Sequence, residues 1–259
     1  MHRFPPSFPS SRSTAPRRAR CMLVLSSLQP PRVAGASGVV SARDFSLKGD
    51  PGILPAGEES VSGKGMRVIA GSAKGRHLAA PHGSLVRPTA DRVKEALFSI
   101  LGSRVDLSGA TLLDLFAGSG ALGIEALSRG AAAVTFVEQD HTARGVLRAN
   151  LERCGFVDRV EIVGQAVQAA LARLAGQGAR FEGVLMDPPY GKGLADRTLG
   201  LLATGVLVQP GGWVAVEHHT DDRLGHAYGD LRLTTTKRYG KTVVSLYLST
   251  HSRGDMAET

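Results

Sequence analysis

Between Met66 and Leu248 the apolar residues of this chain follow two alternating rhythms. Thr111–Phe116, Ala133–Val137, Val160–Val163, Gly183–Met186 and Trp213–Glu217 are short apolar runs, which read as buried strands. Between them, Ala121–Ser128, Thr142–Arg153, Ala166–Leu174 and Leu194–Leu202 repeat apolar residues at three- and four-residue spacing, which reads as helix. Strands alternating with helices imply parallel pairing through right-handed crossovers, hence an α/β fold with a doubly wound, mostly parallel sheet. The rhythm changes at the end. Leu231–Arg238 and Thr242–Leu248 alternate around Tyr239-Gly240-Lys241 with no helix between, which predicts a terminal antiparallel hairpin. Ahead of the sheet, Arg67–Ala70 and Arg76–Ala79 flank Gly71-Ser72-Ala73-Lys74-Gly75 as a small hairpin. A helix over Ala90–Leu101 follows, with Thr89 as its expected N-cap.

Residues 1–65 break this regularity. They are rich in Pro, Ser, Gly and Arg and bury too little apolar surface to offset the entropy of ordering, so disorder is expected there. Their Arg- and Ser-rich, acid-poor start also resembles an organellar transit peptide. Met66 opens the first patterned segment, so an upstream start codon mistaken for the true one is a third reading. The expected organisation is an extension over 1–65, a hairpin and helix over 66–102, the main domain over 103–250, and a disordered tail over 251–259.

A net charge of +8 points to an anionic partner, but its placement changes the inference. The first 65 residues contribute +5, leaving +3 for the rest, so nucleic-acid contact must come from local clusters. Two cysteines, Cys21 and Cys154, offer neither a disulfide framework nor metal spacing, which fits a reducing cytoplasm. No apolar run reaches the length of a membrane span. His218-His219 is not read as a metal pair, because adjacent strand residues point to opposite faces.

The chemistry gathers at strand ends. Asp187-Pro188-Pro189-Tyr190 follows the fourth strand; two prolines remove two N–H donors, stop the strand and stiffen the turn. A carboxylate and a ring flanking such an elbow can hold a planar base. Tyr190 would stack on it, while Asp187 and the Pro188 carbonyl accept from an exocyclic amine. At the first strand end, Asp114 precedes Ala117-Gly118-Ser119-Gly120, and Gly118, Gly120 and Gly123 satisfy G-x-G-x-x-G. That pattern alone also describes a dinucleotide site. A carboxylate just before the glycines disfavours a pyrophosphate and favours a sulfonium ligand carrying an ammonium group, which points to S-adenosylmethionine rather than NAD. Glu138 ends the second strand, where it can accept both ribose hydroxyls. Gln165 and Ala166 follow the third strand, as adenine contacts or as the cap of the next helix.

Met66-Arg67-Val68-Ile69-Ala70-Gly71, the block Arg87-Pro88-Thr89-Ala90-Asp91-Arg92-Val93-Lys94-Glu95-Ala96-Leu97-Phe98, Asp114–Gly123 and Asp187–Tyr190 together resemble the RsmD family. The resemblance runs from about Met66 to about Leu248 and leaves residues 1–65 unmatched. It implies a Rossmann-like, S-adenosylmethionine-dependent methyltransferase acting on the N2 amine of a guanine in 16S ribosomal RNA, of the guanine-966 type. The partner would be 16S rRNA or an assembling small ribosomal subunit, and the enzyme a cytoplasmic monomer without metal. The glycine loop and Asp-Pro-Pro-Tyr are shared with other amino-group methyltransferases, so adenine N6 or cytosine N4 of nucleic acid stays open. An NAD-dependent oxidoreductase and a non-catalytic RNA-binding module also stay open. Gln165 departs from the pattern, standing where related enzymes often place an Asp. Lys74, Arg76, His77, Arg87, Arg92 and Lys94 are expected to form a basic patch on RNA phosphates. Lys237, Arg238 and Lys241 around the terminal hairpin are further candidates.

Overall fold

The computed structural model of the protein describes residues 66–81, 88–204 and 206–250. The extension over 1–65, the tail over 251–259 and Arg87 lie outside the described residues. The described residues form helix α1 (Pro88–Gly102), strand β1 (Thr111–Leu115), α2 (Ala121–Ser128), β2 (Ala133–Val137), α3 (His141–Cys154) and β3 (Val160–Val163). There follow α4 (Val167–Gly176), β4 (Phe181–Met186), α5 (Leu194–Leu202) and β5 (Val208–His219), then β6 (Ala227–Tyr228), β7 (Leu231–Tyr239) and β8 (Thr242–Ser249). The sheet order is β3-β2-β1-β4-β5-β8-β7-β6; β1 to β5 run parallel, and β6, β7 and β8 form the antiparallel end. The doubly wound, mostly parallel sheet and its terminal hairpin are therefore as expected. Strand order reverses between β1 and β4, the place where open α/β sheets leave a crevice at their carboxyl ends.

Both faces of the sheet are covered, so its strands are apolar on both sides. Leu112, Phe136, Leu185 and Ala215 pack with Leu97 and Leu101 of α1, Ile124 of α2 and Leu147 of α3. Leu113, Val137, Val184 and Val214 pack on the other side with Leu171 of α4 and Leu199 of α5. Strand β5 begins five residues before the expected Trp213, because its register against β4 shifts at Gln209-Pro210-Gly211-Gly212. Proline is tolerated where the ladder is interrupted. Past this shift, the Trp213 indole lies where a side chain on Gly183 would sit, 2.2 Å from that residue's missing Cβ. No described helix is long and apolar enough to cross a membrane.

Three local expectations change. Helix α1 starts at Pro88, so Thr89 lies inside its first turn and is not the cap. Proline suits that turn, because its missing N–H would find no partner there anyway. The segment 67–79 is not a pair of strands: it makes a single bridge, Arg67 to His77, closed by turn hydrogen bonds such as Gly75 N–H to Val68 O at 2.8 Å. It is held instead by side chains of the domain. Buried Glu125 of α2 accepts from the Ile69 N–H at 2.7 Å, the Ala70 N–H at 3.0 Å and Arg129 Nε at 2.8 Å. The Asn150 amide of α3 accepts from the Ala79 N–H and donates to the Ala79 and Ser119 carbonyls. The third change is Lys94, expected on RNA. It is 3% exposed, its ammonium donates to Arg67 O at 2.6 Å, and it lies 3.7 Å from Glu125, so it is a packing residue that no phosphate reaches.

Asp114 fixes the other end of α2. It is 1% exposed, and its Oδ2 accepts from the Gly123 N–H at 2.9 Å. Burial pushes its pKa up to about 7; the Gly123 bond opposes that rise, and the Glu138 charge adds to it. A carboxyl that keeps its proton to higher pH when folded stabilises the fold at low pH, and that contribution is lost as pH rises from 3.8 to about 7. Asp114→Asn keeps an acceptor for Gly123 without the titration. Its unfolding free energy, minus that of the native chain, should rise across this interval by at most about 4 kcal/mol in denaturant titrations. A difference independent of pH would contradict the assignment.

Candidate functional site

A cavity of about 1100 Å³ opens at the carboxyl ends of the parallel strands. Phe116, Glu138, Gln165 and Ala166 line one part of it, and Asp187, Pro188, Pro189, Tyr190 and Glu217 another. The loops after β1, β2, β3 and β4, singled out from separate strand ends, therefore meet in one place.

The chain leaves β1 through Phe116, held at φ 58 in the left-handed region. Such a conformation costs a bulky residue on the order of 1 kcal/mol and persists where the surroundings impose it. The three glycines that follow have different duties. A Cβ on Gly118, at φ 54, would meet only Phe116 O at 4.0 Å, so this backbone is open to a ligand. One on Gly120 would fall 2.2 Å from Leu147 Cδ1, and one on Gly123 2.3 Å from Phe136 Cε1. Gly120, expected to admit the cofactor, instead lets α2 and α3 close onto the sheet, and it is buried. Ala117 is buried as well, and neither it nor Asp114 lines the cavity. The hydrogen bond of Asp114 is to the Gly123 N–H in the first turn of α2, so it positions the helix that follows the glycine loop.

Glu138 follows the last residue of β2 and lines the cavity. Its Oε2 accepts from the Gly118 N–H at 2.9 Å, and Oε1 from the Asp140 N–H at 2.8 Å. A carboxylate has about four acceptor sites, so two stay available to a vicinal diol. Gln165 does not cap α4; Ala166 occupies that position, with no side-chain capping bond. Both residues are exposed to the cavity.

Strand β4 ends at Met186, and Asp187 alone separates it from the paired prolines. Solvent reaches Asp187 through the cavity, while protein crowds it elsewhere. That desolvation, then the charges of Glu217 and Asp114, hold its carboxyl well above the usual range. Tyr190 is half-buried and donates its hydroxyl to Glu217 Oε1 at 2.9 Å. Its ring centroid lies 5.7 Å from that of His219, with the planes tilted by 42°. Burial raises the Glu217 carboxyl too, opposed by the Tyr190 bond.

Glu217 was overlooked in the sequence, where it reads only as the last residue of a strand. The signal available was register: on parallel neighbours, the residue after Val216 stands beside the residue after Met186. His218 points away from the cavity, buried, with Nε2 2.9 Å from Ser245 Oγ; His219 faces Tyr190. No cluster of metal-ligating side chains occurs among the described residues.

The basic residues do not form one patch at the mouth. Lys74 and Arg76 are exposed on the 67–79 segment, where the Arg76 guanidinium donates to the Arg153 carbonyl, and neither lines the cavity. Arg92 is exposed on α1 beside cavity-lining Val93. Arg197 of α5, unmarked in the sequence, and Lys241 of the terminal hairpin do line the cavity.

These features fit S-adenosylmethionine. Glu138 would take the ribose hydroxyls, and Gln165 and Ala166 would adjoin the adenine. Gly118 does not itself line the cavity, and its open backbone, bound to Glu138, would leave room for the amino-acid end.

The family described as Conserved hypothetical protein 95 matches residues 66–248, the span that the motifs delimit. The protein named "Putative rRNA methyltransferase YlbH" from Bacillus subtilis is 38% identical over 182 residues, 70% of this chain and 98% of that protein. Ribosomal RNA small subunit methyltransferase D from Escherichia coli K12 is 36% identical over 187 residues, 72% of this chain and 91% of that protein. The solved structure titled "Putative methyltransferase yhhF from Escherichia coli" matches with a TM-score of 0.62 at 34% identity, over 72% of this chain and 98% of that one. The chain therefore belongs to the RsmD family, and its fold is that of the S-adenosylmethionine-dependent methyltransferases.

Proposed function

We propose that this protein methylates the exocyclic N2 amine of a guanine in 16S ribosomal RNA. The observation that carries the reading is Asp187, a carboxylate facing the same cavity as Glu138, so that an amine acceptor adjoins the methyl-donor side. The names of the relatives, which include ribosomal RNA small subunit methyltransferases, support the RNA class.

When bound, S-adenosylmethionine supplies a sulfonium methyl open to in-line displacement by an amine nitrogen. The protein's part is to align the base, and alignment of this kind removes roughly 7–11 kcal/mol of barrier in favourable cases. A guanine turned out of its RNA stacks on Tyr190. Asp187 and the Pro188 carbonyl accept from its N2 hydrogens, which aims the nitrogen lone pair. As the nitrogen–carbon bond forms the amine turns acidic, and its proton passes late to Asp187 or to water. Outside the cavity, Lys74, Arg76 and Arg92 bind phosphates, joined at the rim by Arg197 and Lys241.

Asp187→Ala should lower kcat by at least about a hundredfold while leaving the cofactor dissociation constant within roughly twofold. Near-native turnover in that variant would remove Asp187 from the mechanism. Glu138→Ala should weaken cofactor binding at least about tenfold by calorimetry, through two lost charge-assisted bonds to the ribose. An unchanged constant would exclude the ribose role. For the substrate, N2-methylguanosine should be missing at one position of the small-subunit rRNA in cells lacking the gene. If every such mark persists, this RNA is not the target.

A further inference from the structure

Glu217 is a second carboxylate in the reacting cavity, with no role in the reading above. Met186 and Val216 are register partners on parallel β4 and β5. The next residues are Asp187, which follows the end of β4, and Glu217, still within β5, so they stand side by side on strands about 4.8 Å apart. Both line the cavity. One Glu217 oxygen accepts from the Tyr190 hydroxyl, and the other makes no hydrogen bond among the described residues. Two adjacent carboxylates that repel one another next to an aromatic ring suit a flat ligand presenting two neighbouring donors.

We propose that Glu217 selects guanine by accepting from the base N1–H while Asp187 accepts from the N2 amine, an inference that rests on the guanine-N2 reading. Guanine carries these two donors on adjacent atoms of one edge. Adenine has a bare N1 beside its N6 amine, and cytosine a bare N3 beside its N4 amine. Either would set a lone pair against the second carboxylate, an unfavourable contact in a partly desolvated site. The Asp-Pro-Pro-Tyr elbow asks only for an amine on a ring. Glu217 adds the distinction between bases, and its hold on the Tyr190 hydroxyl sets the stacking ring at the distance this contact requires.

The test is methyl transfer by the full chain to small-subunit rRNA carrying guanine or 2-aminopurine at the mapped target, with the product nucleoside identified by mass. 2-Aminopurine keeps the 2-amine and lacks N1–H. The native chain should favour guanine at least about tenfold in kcat/KM. Glu217→Gln still accepts from Tyr190 and can turn an N–H toward the bare N1, so its ratio should fall to about one or invert. Tyr190→Phe should slow both substrates together and keep the native ratio, which separates base selection from support of the ring. Each ratio is taken within one preparation, so partial unfolding cancels. Equal native rates on the two bases, or a native-like ratio in Glu217→Gln, would overturn the assignment. A methyl group on the amine of some other base would overturn the guanine reading itself.

Discussion

One buried carboxylate organises the front of this protein. Glu125, 0% exposed on α2, gathers two backbone N–H groups of the 66–81 segment and the Arg129 guanidinium, with the Lys94 ammonium of α1 close by. A buried charge is costly unless paired and fully hydrogen-bonded, and removing partners from such a group is strongly destabilising. The segment makes a single β-bridge, so beyond burial of Val68, Ala73 and Leu78 it depends on these bonds and on those to Asn150 and Ser128. The same Asn150 amide binds the carbonyl of Ser119, which ties the segment to the glycine loop. With Asp114 fixing its first turn and Glu125 its second, α2 is clamped between the sheet and the N-terminal segment, and the loop feeding it has little freedom.

That rigidity serves a cavity whose own electrostatics are unbalanced. Asp187 stands beside Glu217 of the neighbouring strand, with Asp114 behind, and burial and both of these charges raise the cost of ionising Asp187. The imbalance suits a ligand that presents hydrogen-bond donors, because neighbouring acceptors that repel one another gain from them. The single hydroxyl of Tyr190 meets part of that need, and it orders the ring in doing so.

The architecture was legible because periodicity reports burial, and both faces of this sheet are buried. Ala121–Ser128, Ala133–Val137, Val160–Val163 and Leu194–Leu202 were read to the residue. Contacts that depend on the third dimension were not. Lys94 has the same spacing whether it faces RNA or Glu125, and only packing decides between them. Gly120 satisfies a ligand-binding motif, but the neighbour that forbids its side chain is Leu147, twenty-seven positions away. Glu217 needed strand register, which a single strand does not display. The early start of β5 was masked by Pro210, Gly211 and Gly212, residues that ordinarily mark a loop and here form a register shift within a strand.

That register shift also sets the optical properties of the molecule. Trp213 is the only tryptophan in the chain, 3% exposed and pressed against the bare face of Gly183 on the neighbouring strand. Its emission reports the interior of the β4–β5 pair, the same two strands that carry Asp187 and Glu217. Residues 1–65 contain no tryptophan and contribute nothing to that signal, so opening of the strands beneath the reacting groups can be followed in the full-length chain without a label.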